Sequence, residues 1–153
     1  MWLFNNEEFV SDNIGDYHGF VYVITNKETG RMYIGKKFFW SLRTKPPLKG
    51  KKRRRKVKTE SDWKEYYGSC EELLIDISLL GKDSFSREIL SLHITRADTN
   101  YSEVKEQFRR NVLEEKLDIG GRKYYNANIM SKYFVKPEYI TETTRRKVNI
   151  NFS

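Results

Sequence analysis

The sequence predicts an α+β domain: a small three-stranded antiparallel sheet flanked by helices. Residues 19–25 and 31–35 are runs of β-branched and aromatic residues on either side of a turn-forming NKETG. A third such run, FSREILSLH, lies further along, between stretches whose apolar residues recur at helical spacing. The resulting order, ββ-α-α-β-α, is that of a small sheet with helices packed on it.

Length and composition agree with one domain. A chain of 153 residues can bury a real core. Its aromatic share of 14% excludes a chain disordered throughout. No run of eighteen apolar residues occurs, so no transmembrane helix is expected. The acidic start MWLFNNEEFV does not have the pattern of a secretory signal. Cys70 is the single cysteine, which excludes an internal disulfide and fits a reducing cytoplasm.

The elements follow in order. Residues 1–16 are expected as an irregular arm and 17–130 as the folded domain. After the two strands, KKFFWSLR is expected to form a turn or two of helix, stopped by Pro46-Pro47. ESDWKEYYG places Trp63, Tyr66 and Tyr67 at helical spacing, with Ser61 or Asp62 as the cap. SCEELLIDISLLG is a helix with Leu73, Leu74, Ile77 and Leu80 inward, closed by Gly81. The clearest helix is TNYSEVKEQFRRNVLEEKL, capped by Asn100 or Ser102, with an apolar face of Val104, Phe108, Val112, Leu113 and Leu117. GGRKYYNANI is a glycine-opened extended piece, and 131–153 is a basic tail.

Charge narrows the partner. The net charge is +8 and the pI near 9.5, which favours polyanions through counterion release. Eight of the ten residues in KGKKRRRKVK are basic. Such a block repels itself unless an anion lies against it. It is expected as a DNA-facing loop, 49–58, presenting Lys51, Lys52, Arg53, Arg54, Arg55, Lys56 and Lys58.

Within the hairpin, register decides whether Tyr22 and Tyr33 share a face. A four-residue loop pairs Thr25 with Gly30 and sets Tyr22 opposite Tyr33, with Cβ atoms about 5 Å apart. Ile24 and Arg31 then lie on the same face. A five-residue loop sends the tyrosines to opposite faces. Both registers are open to the sequence. Gly35 closes the second strand and Lys36 and Lys37 follow, with Arg43 one or two turns on. These residues suit a phosphate seat, and equally an aromatic hairpin with surface cations.

Taken together, the motifs resemble the GIY-YIG nuclease superfamily. VY…YIG, with Tyr33 eleven positions after Tyr22, looks like its signature. Arg43, ten residues past Tyr33, matches the family's arginine on the helix after the second strand. Glu103 matches its helix glutamate, and Asn126 the asparagine that follows a tyrosine. The likeness covers about residues 17–130. It is nearest to small phage-encoded members, including Seg-like free-standing homing endonucleases, which also carry W..Y.GS and REIL stretches. In one departure, Phe20 fills the first motif's glycine position and Gly19 stands one place early.

The resemblance implies metal-dependent hydrolysis of double-stranded DNA in a bacterial host cytoplasm, with no membrane involved. Glu103 would hold Mg²⁺ (or Mn²⁺), a hard cation that keeps several waters and so needs few protein ligands. It is preferred to Glu106, Glu114 and Glu115 because it lies in the first turn, beside the sheet. Tyr22 would be the base or base relay, although a free phenol has a pKa of about 10. Tyr33 would hold phosphate or water, Arg43 would neutralise the phosphorane, and Asn126 would anchor the site. Arg31, Lys36 and Lys37 are the further cations.

Two other readings compete. Glu103-Val104-Lys105 with Asp98 upstream has the E-x-K look of a PD-(D/E)xK nuclease. A non-catalytic nucleic-acid-binding module would use the aromatics for stacking and the basic block for phosphates. His18 and His93, the only histidines, are too few for an HNH or zinc site.

Overall fold

The hairpin expected near the start is the centre of the fold. The computed structural model describes residues 1–136. Its strands are β1 (Trp2–Phe4), β2 (Glu7–Glu8), β3 (Gly19–Asn26), β4 (Met32–Phe38), β5 (Trp40–Lys45), β6 (Arg55–Glu60), β7 (Phe85–His93), β8 (Asn128–Ile129) and β9 (Tyr133–Phe134). The α-helices are α1 (Glu71–Leu80) and α2 (Arg96–Arg109). The expected basic tail lies outside the described residues from 137 onward.

The main sheet has five strands in the order β2-β1-β7-β3-β4. Its β7-β3-β4 portion is the expected antiparallel trio. The sheet as a whole is mixed, because β1 joins β7 in parallel. Residues 2–8, expected as an irregular arm, therefore form strands. Burial explains the difference: Trp2, Phe9 and Ile14 sit in the core, and Trp2 Nε1 donates to the Trp63 carbonyl at 2.7 Å. Asn5 and Asn6 take the left-handed backbone that turns β1 back into β2.

Alternation along β3 fills both sides of the sheet. Phe20, Tyr22 and Ile24 pack on one face against Trp2, Phe39, Trp63, Leu73 and Ile77. Val21 and Val23 pack on the other with Ile34, Val112, Tyr124 and Ile129. Phe20, the residue standing where a glycine was expected, is fully buried between Trp2, Phe39 and Trp63. Gly19 meets the close-approach requirement one place earlier. A Cβ there would lie 2.8 Å from Thr99 Oγ1, so α2 settles directly on the strand backbone.

Helix α2 corrects two expectations. It begins at Arg96 and is capped by Thr95, whose hydroxyl accepts from Asp98 N–H at 3.0 Å. Its buried residues are Thr99, Ser102 and Gln107, whereas Phe108 is exposed. A polar stripe thus faces the sheet, and Glu103 lies on it. In α1 the inward residues are Leu73 and Ile77, with Leu74 and Leu80 more exposed than expected. Trp63–Glu65 is a single 3₁₀ turn in place of the helix expected there.

The segment KKFFWSLR is not helical. Strand β4 runs to Phe38, Phe39 plugs the core, and β5 pairs antiparallel with β6 from Trp40↔Glu60 to Lys45↔Arg55. Pro46-Pro47 therefore ends a strand. The expected basic loop is the tip and returning strand of a two-stranded ribbon. Among the described residues no helix is long and apolar enough to cross a membrane.

Candidate active site

The site lies at the free edge of β4, where the two sheet faces meet. Side chains at alternate positions of β4 point to opposite faces. Tyr33, Gly35 and Lys37 share the face of Tyr22, and Ile34 and Lys36 share the face of α2. The hairpin register is Tyr22↔Gly35 and Ile24↔Tyr33. Tyr22 and Tyr33 are therefore diagonal neighbours, not opposite ones. The loop is two residues longer than the four-residue option, and a shift of two preserves the face. The rings lie 6.2 Å apart between centroids.

Glycine makes this pairing possible. A Cβ at Gly35 would lie 2.5 Å from Tyr22 Oη, so the phenol occupies the space of the missing side chain. Tyr66, which the sequence did not single out as a site residue, joins the cluster edge-on, its ring centroid 6.1 Å from that of Tyr22, and helps to keep the Tyr22 phenol protonated. Its segment is held by Arg87, which donates to the carbonyls of Lys64 and Tyr66 at 2.9 and 2.8 Å. The only sequence signal for Tyr66 is the W..Y.GS stretch.

Burial controls the protonation of both phenols. It holds Tyr22 well above the ordinary phenol range, and Tyr33, Tyr66 and Glu103 push the same way. Burial also pushes Tyr33 up to about 12, against an opposing hydrogen bond with Ser69. Both are neutral phenols at physiological pH. Glu103, on α2, has a side chain 19% exposed, with Lys36 Nζ at 3.7 Å. Burial raises its carboxyl pKa and Lys36 partly offsets the rise. Lys36 also donates to Asn100.

Asn126 is held in place by the strand itself. The segment before it runs beside β4, with Met32 N–H donating to the Lys123 carbonyl at 2.9 Å and Tyr125 N–H to the Met32 carbonyl at 2.7 Å. Asn126 then continues the ladder with its side chain. Its Oδ1 accepts from Ile34 N–H at 3.0 Å, and its Nδ2 donates to the Ile34 carbonyl at 2.8 Å. A side-chain amide carries the same donor and acceptor as a peptide, so it completes the edge strand. Gln107 adds a third bond, to the Ile34 carbonyl at 3.1 Å.

A groove of about 550 Å³ follows this edge, lined in part by Tyr33, Ser69, Glu103, Gln107, Tyr125 and Asn126. Beyond Lys36 lies a second groove, whose cations are Lys36, Lys37 and Arg96. His18 in that groove is kept below its ordinary pKa by burial and by Arg96 and Lys58. Arg96 lies over the Phe38 ring at 4.7 Å and was not anticipated from the sequence.

Other expected cations are placed differently. Arg43 lies in β5, exposed, and makes no hydrogen bond, ion pair or ring contact with the tyrosines or Glu103 among the described residues. Arg31 pairs with Glu72 at 2.9 Å and covers the Tyr125 ring at 4.1 Å, away from Tyr22 and Tyr33. Lys37 pairs with Asp62 at 2.7 Å and lies over Tyr66 at 4.1 Å. Lys51, Lys52, Arg53 and Arg54 are exposed at the ribbon tip, while Arg55, Lys56 and Lys58 belong to β6. Asp98, the upstream acid of the E-x-K alternative, instead bonds His93 Nδ1 at 2.6 Å.

The donor set suits a hard divalent cation that keeps most of its water. Glu103 is a single, partly buried carboxylate on an open groove, and among the described residues no three His, Cys, Asp or Glu side chains gather.

Comparison with known families gives a match over residues 2–129 to the model described as "Putative endonuclease segE, GIY-YIG domain". No curated protein and no solved structure matches the chain.

Proposed function

The chain belongs to the GIY-YIG endonucleases, and from that premise we propose that it hydrolyses phosphodiester bonds of double-stranded DNA with Mg²⁺ or Mn²⁺ at Glu103. The observation that carries this reading is convergence. Tyr33, Glu103 and Asn126 come from three separate segments and line one groove at the β4 edge, with the buried Tyr22 hydroxyl packed behind them against Gly35 and a cationic groove alongside.

The chemistry is attack of water on phosphorus with cleavage of a P–O ester bond. A neutral Tyr22 cannot take the proton as a phenolate. It acts as a relay: its oxygen accepts the proton of the attacking water while its own O–H proton passes by way of the partly exposed Tyr66 to bulk water, and the departing oxygen takes a proton from solvent. Tyr33 donates its O–H to a phosphate oxygen or to the water. Lys36 is the cation nearest the carboxylate and offsets charge on the phosphate. Asn126 positions the strand and does not react. When bound at Glu103, the divalent ion would supply charge neutralisation at the phosphate and the departing oxygen.

The basic ribbon is assigned to DNA. A homing-type role in an infected bacterium belongs to the same proposal, supported by the likeness to free-standing homing endonucleases. The deciding experiment incubates the protein with supercoiled plasmid and Mg²⁺, then with EDTA, then as Glu103→Ala. Nicked or linear product, lost under both controls, is expected. Binding without cutting in either Mg²⁺ or Mn²⁺ would overturn the proposal.

A further inference from the structure

The β5–β6 ribbon has two unlike faces. Directly paired residues share a face, so one face carries Ser41, Arg43, Lys45, Arg55, Val57 and Thr59. The other carries Trp40, Leu42, Thr44, Lys56, Lys58 and Glu60. At its base this second face is already engaged. Lys58 lies over the Trp40 ring at 4.4 Å, and Glu60 accepts from Ser11 at 2.7 Å and from Trp63 Nε1 at 2.8 Å. On the first face Arg43, Lys45 and Arg55 have no hydrogen-bond or ion-pair partner among the described residues. Lys45 and Arg55 stand directly opposite each other, an arrangement that costs stability unless an anion screens it.

We propose that the ribbon enters the major groove of the DNA duplex and that its Arg43/Arg55 face reads base edges there. The inference rests on double-stranded DNA being the substrate and says which groove and which face provide sequence preference.

Dimensions and chemistry agree with it. Two paired strands lie about 4.8 Å apart, and six residues extend about 20 Å. B-DNA's major groove, about 12 Å wide, admits a two-stranded ribbon. Arginine pairs with guanine O6 and N7, serine and threonine bond either base type, and the Val57 methyls suit the thymine methyl. Lys56 on the opposite face and the tip cations are left for phosphates, which position without specifying. The ribbon is rigidly rooted. Phe39 is fully buried, Ser61 N–H donates to its carbonyl at 2.8 Å, and Ser61 Oγ donates to the Phe38 carbonyl at 2.6 Å. The ribbon follows β4 after the single residue Phe39, and its root residues Trp40, Ser41 and Leu42 line the same groove as Lys36 and Lys37.

The test selects bound duplexes from a random DNA library in EDTA, so cleavage plays no part. Wild type is expected to enrich a motif that includes guanine. Arg43→Ala and Arg55→Ala should each weaken preference at one or two base pairs by about 10- to 100-fold, the value of one bidentate contact. Lys56→Ala should lower affinity for all sequences alike and reduce the salt slope by about one. Prior methylation of guanine N7, in the major groove, should block binding. Three results would each overturn the inference: an unchanged motif in both arginine variants, interference from adenine N3 alone, or equal affinity for duplex RNA, whose major groove is too narrow. A protein that selects the motif but leaves plasmid uncut supports the ribbon inference and removes the nuclease reading. One that cuts plasmid with the motif unchanged in both variants does the reverse.

Discussion

Phe39 alone separates the edge of β4 from the β5–β6 ribbon, yet the two regions are held by opposite physics. At the edge, ionisable groups are buried and partnered. Tyr22 leans on Tyr66, Glu103 on Lys36, and Asn126 makes both its bonds to one residue, Ile34. On the ribbon, Arg43, Lys45 and Arg55 are exposed and unpartnered. The first arrangement fixes protonation and geometry before substrate arrives. The second is electrostatically incomplete until a polyanion arrives. Chemistry and recognition are thereby separable, and substitutions in one region should leave the other's function largely intact.

The largest effect is expected from Glu103→Gln. Plasmid cleavage should fall by about 10³-fold or more, the scale of losing the charge-stabilising centre, with DNA affinity retained. Stability should not fall with it. The folded-state pKa is raised above the unfolded value, so this group's stability contribution is present at low pH and lost as pH rises through the folded pKa. Once ionised, the buried carboxylate is a cost, and removing it should hold or raise the melting temperature above that pKa. A clear fall in melting temperature would break the comparison.

Tyr22→Phe comes next. Loss of a proton relay should cost about 10²-fold in kcat, with little change in KM. The ring still packs on Trp2 at 5.2 Å, so the melting curve should change little. An equal loss in DNA affinity would mean that the two regions are not separable. On the ribbon, replacing Arg53, Arg54 and Arg55 with alanine should weaken binding and reduce the salt slope by roughly two, from the two tip arginines. Single-turnover cleavage at saturating DNA should persist, and an unchanged salt slope would remove the ribbon tip from the interface.

Two smaller effects sharpen the edge. Burial raises the Glu103 pKa, so the Mg²⁺ needed for half-maximal cleavage should begin to climb at a higher pH than for a free carboxylate. Below that pKa it should climb about tenfold per pH unit. Metal titrations of activity across pH 5–8 measure it. Asn126→Ala leaves Ile34 N–H without its partner and should cost about 1–3 kcal/mol, read as a few degrees in the melting temperature, with a modest loss of cutting.

Much of this was legible in the sequence because it follows from local chemistry. The three runs of β-branched and aromatic residues became β3, β4 and β7, and the two tyrosines do share a face. What failed was decided at a distance. Trp2 gave little sign of a strand until its burial against Trp63 was visible. Arg43 was expected on a helix because KKFFWSLR has no partner in its own sequence; the partner is 55–60, across a proline turn. In α2 the expected apolar face holds only in part: Val104 packs on the core and Val112 and Leu113 follow just beyond the helix, but Phe108 is exposed, and the helix turns Thr99, Ser102 and Gln107 to the sheet and carries Glu103 to its edge. A helix that delivers a reactive group must give up part of its apolar stripe. Tyr66 was hidden for the same reason: it becomes a site residue only when Arg87, from another strand, holds its segment under Tyr22.

The three tryptophans are distributed in a way that provides an optical handle. Trp2 and Trp63 are sealed in the aromatic core, while Trp40 is partly exposed at the ribbon root beneath Lys58. An aqueous quencher such as iodide therefore reaches one emitter in the folded molecule. Its collisions with that emitter will fall as a duplex fills the space around the ribbon, so arrival of nucleic acid can be timed by intrinsic fluorescence, without a label and before any strand is cut.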